Sequence, residues 1–196
     1  MAQDGRTWDF QNDPVNTTPS GFSFAKTGHG RPGKWVVRID ADQPTDRHVL
    51  AQVDRDETGD RFPVAVADSP IFKDVRVEVR CKPVSGNVDE ACGLVLRYLD
   101  ENNYYVARAN ALEDNVRLYH VVKGRRRQFA GWDGKVVAHI WHTLAVEARR
   151  DELQVFWNGE RVIHAKDDTF KDAGKVGLWT RADSVSYFDT LSVNPL

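Results

Sequence analysis

A chain of 196 residues is most economically one domain, and it is long enough to bury a full core without a metal or a disulfide. The net charge of −2 offers nothing to bulk nucleic acid or to an anionic membrane surface. No apolar run reaches the ~18 residues of a membrane-spanning helix, so neither a nucleic-acid partner nor membrane insertion is expected.

Residues 1–34 are rich in Gly, Pro, Asn, Asp and Thr, with Trp8, Phe10, Phe22 and Phe24 as scattered anchors. They predict a largely irregular N-terminal segment with one edge strand at Gly21–Lys26. The opening MAQDGRTWDF carries no signal-peptide core. It suits either a cytosolic chain or a mature exported one in which Met1 precedes Ala2-Gln3.

Trp35–Ile39 is the first clear strand, closed by a turn region at 40–46 with Pro44, and His48–Val53 is the second. Acids and a glycine make 54–60 a loop. Arg61–Ala67 follows, its Pro63 suiting an edge strand or a strand's first residues. Val75–Lys82 alternates strictly, with Val75, Val77, Val79 and Cys81 on one face and Arg76, Glu78, Arg80 and Lys82 on the other. Ser85-Gly86-Asn87 is a turn.

Gly93–Arg127 reads as three antiparallel strands joined by tight turns at Asp100–Asn103 and Glu113–Asn115. Apolar residues alternate there with Arg, Asn and His, as in a sheet with one dry and one wet face. If the first turn closes at Asp100–Asn103, Leu99 opposes Tyr104, Arg97 opposes Val106 and Gly93 opposes Asn110. Arg97, Arg108 and Asn110 then share the wet face, while Leu94, Leu96 and Tyr98 join Tyr105, Ala107 and Ala109 on the dry one. A three-residue second turn adds His120 beside Arg108, and a two-residue turn adds Tyr119 beside Asn110. Both remain open, because one residue of slip exchanges the faces.

His139–Arg149 alternates again. Leu153–Trp157 and Glu160–Ala165 flank Asn158-Gly159, the dipeptide of a type I′ hairpin. After a loop at 166–173, Gly174–Trp179 and Ser184–Val193 close the chain. Roughly eleven to thirteen strands without a helical period predict an all-β fold, a two-sheet antiparallel jelly-roll β-sandwich.

The closing succession carries a resemblance. WHTLAVEARRDELQVFWNGERV (141–162) and GKVGLWTRADSVSYFDTLSV (174–193), together with 93–127, follow the order W-x-x-L-x-V, V-x-x-N-G-x-x-V, G-x-V-G-L-W-T, F-D. This resembles the concanavalin A-like lectin/glucanase superfamily, specifically laminin-G-like jelly rolls close to the bacterial 3-keto-disaccharide hydrolase domain. The resemblance covers about two thirds of the chain. It implies a protein that binds or processes a poly- or oligosaccharide on the concave sheet, exported to the periplasm or beyond. A glycoside hydrolase or polysaccharide lyase, or a laminin-G-like protein-interaction module, are the alternatives. The family 16 glycosidases of this superfamily resemble E-x-D-x-x-E on one strand. Here the comparable strand offers Glu78 between Arg76 and Arg80, so a retaining glucanase of that type is not expected.

Arg76, Arg80, Arg97, Arg108 and Asn110 are the candidate ligand-binding residues, a set that suits an acidic sugar because guanidinium pairs bidentately with carboxylate. Trp132, in the loop at 130–134, is the preferred sugar platform over Trp179, and Trp157 shares the core parity of Val155. Glu78, His120 and Tyr119 are the candidate catalytic groups. No cofactor is required. A structural calcium, frequent in the resembled fold, would draw on Asp40, Asp42 and Asp189. Cys81 and Cys92 face the core at either side of one hairpin, where a cross-strand disulfide would form in an exported protein and two buried thiols would remain in a cytosolic one. Arg125-Arg126-Arg127 reads as a basic hairpin tip that would extend an anionic binding surface.

Overall fold

The structure, a computed structural model, describes residues 4–42 and 47–196, so Pro44 of the expected turn and the Ala2-Gln3 start lie outside it. Among these residues the strands are β1 (Arg6–Trp8), β2 (Phe22–Gly28), β3 (Trp35–Asp40), β4 (Arg47–Gln52), β5 (Arg61–Ala67), β6 (Val75–Ser85) and β7 (Ala91–Asp100). They continue as β8 (Asn103–Asn110), β9 (Asn115–Val122), β10 (Arg125–Asp133), β11 (His142–Arg149), β12 (Glu152–Trp157), β13 (Glu160–Lys166), β14 (Lys175–Trp179) and β15 (Val185–Pro195). An eight-stranded sheet runs β13-β12-β11-β6-β15-β4-β3, with β1 on β15. A seven-stranded sheet runs β10-β9-β8-β7-β14-β5-β2. Two antiparallel sheets face to face make the expected sandwich.

Alternation fills the interior. Val75, Val77, Val79 and Cys81 from β6 meet Leu144, Val146 and Ala148 from β11 and Leu94, Leu96, Tyr105, Ala107 and Leu118 from the other sheet, all shielded from solvent. Asn158-Gly159 turns β12 into β13 with positive φ at both residues, as the dipeptide predicts. Pro63 lies near the start of β5, a strand flanked by β2 and β14.

Cys81 and Cys92 are bonded, but not across one hairpin. β6 and β7 belong to different sheets, so the bond crosses the core and ties the two sheets together.

The seven-stranded sheet also has a second, dry face. Phe62, Val64 and Val66 (β5), Val95 (β7), Tyr104 and Val106 (β8), Tyr119 and Val121 (β9) and Trp179 (β14) form a separate apolar cluster on its outer side. Gly93 makes room for it. A Cβ there would lie 3.2 Å from both the Trp179 ring and the Arg108 Cβ.

Candidate functional site

The outer face of the seven-stranded sheet carries the charged groups of interest. β8 and β9 pair with Asn110 opposite Asn115 and Val106 opposite Tyr119, leaving four residues, 111–114, in the connection. This parity sends Tyr119 to the face of Arg108, and His120 to the other side. Arg108 is buried; its Nη2 donates to Glu113 Oε2 at 2.8 Å and to the Tyr119 hydroxyl at 3.0 Å, and its Nη1 donates to Asn115. Asn110 holds the turn. Its Oδ1 accepts the amides of Leu112 and Glu113, and its Nδ2 donates to Asp89 Oδ1 at 2.8 Å.

Arg126 completes the face. Lys123 and Gly124, both at positive φ, turn β9 into β10, and Arg126 falls opposite Val121 on the outer side. Its guanidinium carbon sits 4.4 Å from the centre of the Tyr119 ring, 4.7 Å from Phe62 and 5.5 Å from Trp179. Phe62 and Trp179 are themselves stacked, 14° from parallel. Nη1 of Arg126 is buried without an acceptor, and no carboxylate pairs with this arginine among the described residues. Burial pulls its pKa below the ordinary arginine value, and the neighbouring Arg181 and Arg108 charges act in the same direction.

Two acids border this face, and their environments differ. Asp89 is fully buried and accepts from Asn110 and from Arg181 Nη1 at 2.7 Å. The turn before it is fixed by Asp183, whose carboxylate accepts the amides of Asn87, Val88 and Asp89. Burial pushes the Asp89 carboxyl up, against the opposing charges of Arg108 and Arg181. Glu113, by contrast, reaches solvent. Burial alone would raise its pKa too, but the hydrogen bond and charge of Arg108, with Asn115, hold it below the usual glutamate value. A depressed carboxyl contributes stability that is complete above the unfolded value of 4.5 and is lost as pH falls through the folded one. A carbon-detected NMR titration should therefore place the Glu113 midpoint below 4.5, and Arg108→Gln should move it upward. An unmoved midpoint in Arg108→Gln would remove Arg108 as the cause.

Arg97 is not on this face. The β7–β8 register is Val95 opposite Val106 and Asp100 opposite Asn103, so β7 carries two extra residues in an irregularity between Leu96 and Asp100. Arg97 absorbs it with φ of 47°, and its side chain turns inward to the carbonyls of Lys73 and Phe170. Tyr98 is displaced in the opposite sense, to stack on Tyr104 at the outer face instead of entering the core.

Arg76, Glu78 and Arg80 lie on the outside of the other sheet, because β6 pairs with β11 and β15. Arg76 bonds Glu78 and Glu147, and Arg80 bonds Asp189 while covering the Trp141 ring. Arg76–Glu147 and Arg80–Asp189 are cross-strand ion pairs and Arg76–Glu78 is a pair within β6, so these groups are occupied by one another on the outside of that sheet. His120 is on the inner side of β9, stacked on Phe129 with Nδ1 3.2 Å from Asp167, away from Tyr119. Trp132 belongs to β10 and not to a loop. It pairs with Val116 and packs against the main core, with Gly134 directly under its ring.

The calcium candidates do not fit a cation. Asp40 and Asp42 accept from Lys82 at 2.7 and 3.1 Å, and Asp189 accepts from Arg47 and Arg80. Each carboxylate already has its counter-charge, and no three His, Cys, Asp or Glu side chains converge as a metal site among the described residues.

Of the expected site residues, Arg108, Asn110 and Tyr119 come together. Arg126, Asp89, Arg181 and Phe62 join them without having been singled out as site residues. The signal for Arg126 is the arginine run, which opens strand β10 and is not a hairpin tip, because the turn is made by Lys123 and Gly124.

No family model matches the sequence, and no curated protein matches it. Solved structures do match in shape. The carbohydrate binding module CBM66 from Bacillus subtilis superposes with a TM-score of 0.69 at 21% identity, over 90% of this chain and 96% of that one. A Bacillus licheniformis beta-glucanase gives 0.64 at 11% identity over the whole of both chains. A native glycosidic hydrolase gives 0.64 at 17% identity, over 100% of this chain and 97% of that one. The likeness is one of fold: a two-sheet antiparallel jelly-roll β-sandwich.

Proposed function

We propose that this protein is a glycan-binding module whose ligand lies on the outer face of the seven-stranded sheet. One observation carries the reading. A solvent-reaching carboxylate held in place by Arg108 and an arginine without a carboxylate partner, set among three aromatic rings, share one face of the sheet. Glu113 supplies acceptors for sugar hydroxyls and Arg126 supplies donors. Tyr119 stands between them, with its ring toward Arg126 and its hydroxyl on Arg108. The similar structures named as a carbohydrate binding module and as glycosidases support a carbohydrate ligand.

Binding is favoured over hydrolysis. Glycoside hydrolysis needs two carboxyl groups that both reach the glycosidic bond. Asp89 is fully buried and occupied by Asn110 and Arg181, and Asp133, exposed at the β10 side of the face, is held by Arg117, so no second carboxyl free of a protein partner accompanies Glu113 among the described residues. The disulfide between the sheets supports export to an oxidising compartment.

A glycan array, followed by calorimetry on the best ligand, tests the reading. Glu113→Gln and Tyr119→Ala should each weaken binding about tenfold or more, as expected for loss of a charge-assisted hydrogen bond or a ring contact. Mass spectrometry of the incubated glycan should find no cleaved product. Unchanged affinity in both variants would move the ligand elsewhere, and a cleaved product would replace the module by an enzyme.

A further inference from the structure

We infer that the glycan is anionic, and that a carboxylate on the bound sugar docks on the guanidinium of Arg126. This rests on the glycan site proposed above and goes on to name its ligand class.

The charges of the face point to it. Arg108 is answered by Glu113, Arg181 by Asp89 and Arg117 by Asp133. Arg126 is answered by no acid, although it is the arginine set most deeply among aromatic rings. The nearest charges are two further arginines and the already occupied Asp89. A surface that pairs each of these other arginines with an acid leaves this one for the ligand.

The geometry agrees. Nη1 is buried without an acceptor, and no protein atom accepts from Nε or Nη2 among the described residues. A partly desolvated cation with open donors loses solvation that only a strong acceptor restores. Phe62, Tyr119 and Trp179 crowd the guanidinium, so its fork is positioned before the ligand arrives. A carboxylate presents two coplanar oxygens to such a fork and supplies the missing charge. Sugar hydroxyls supply acceptors but leave the cation uncompensated.

Calorimetry on the full chain decides, with oligogalacturonate, oligoglucuronate and alginate oligomers set against their methyl esters and against neutral gluco-, galacto- and fructo-oligosaccharides. At least one acid should bind about tenfold tighter than its ester, and added salt should weaken the acid far more than the ester. Arg126→Gln should abolish that preference, and Arg126→Lys, which keeps the charge but not the fork, should retain part of it. Thermal unfolding of both variants checks that they are folded. Neutral oligosaccharides that bind in a Glu113-dependent way, with no preference for any acid over its ester, would overturn the anionic ligand while leaving the glycan site standing. A preference for acid that survives in Arg126→Gln would also overturn it. No binding of any oligosaccharide, acidic or neutral, would remove the site and this inference together.

Discussion

Replacing Arg61 by methionine should lower the unfolding free energy by about 3–5 kcal/mol, the range for removing one member of a buried charge network. The side chain is inaccessible to solvent. Its Nε donates to the Arg31 carbonyl at 2.7 Å, Nη2 to the Pro32 carbonyl at 3.1 Å, and Nη1 to the Ala182 carbonyl. Asp54 lies 2.9 Å from Nη2. These partners come from the connections between β2 and β3, β4 and β5, and β14 and β15, so one guanidinium joins three loops at one rim of the sheet. Methionine fills much of the volume but strands three carbonyls and half of an ion pair. Urea unfolding monitored by tryptophan fluorescence measures the loss. A change below about 1 kcal/mol would mean that water replaces the guanidinium at no great cost.

The double variant Cys81→Ala/Cys92→Ala should lose about 2–4 kcal/mol, because the crosslink restricts the unfolded chain and its removal leaves small gaps in the core. Both sulfurs are fully buried between the sheets. The loss should appear as a lower urea midpoint for the variant relative to the oxidised parent, with glycan affinity preserved, since neither cysteine faces Arg126. Equal midpoints would show that the bond contributes nothing to stability. A collapse of affinity in a folded variant would show that the spacing of the sheets governs the outer face.

The strand pattern was legible wherever alternation was strict. Val75–Cys81 and Leu144–Ala148 entered the core as read, and Asn158-Gly159 made the hairpin its sequence demands. Sheet membership was not legible. Nothing in β6 states that its neighbours are β11 and β15, so the grouping of Arg76, Glu78 and Arg80 with Arg108 and Asn110 in one candidate site does not hold. A period of two also fails silently at a bulge. Arg97 and Tyr98 exchange sides because one residue adopts a left-handed conformation, which a side chain as ordinary as arginine does not advertise. Tyr119 against His120 turned on connection length alone. Trp132 shows a different limit, because a Gly-flanked tryptophan looks like a loop residue when the glycine beneath it is in fact the space its ring fills.

The run Arg125-Arg126-Arg127 has a consequence for how this face tolerates change. β10 is the outermost strand of its sheet, held on one side only, and its alignment with β9 is fixed by the Lys123-Gly124 turn. Lengthening or shortening that turn by one residue would rotate every β10 side chain to the opposite surface. At this point of the strand, however, the residue delivered in place of Arg126 is again an arginine, whichever way the strand slips. The run protects the positive charge of the face against insertions and deletions that would otherwise erase it, and leaves the turn free to vary while the charge stays where it is.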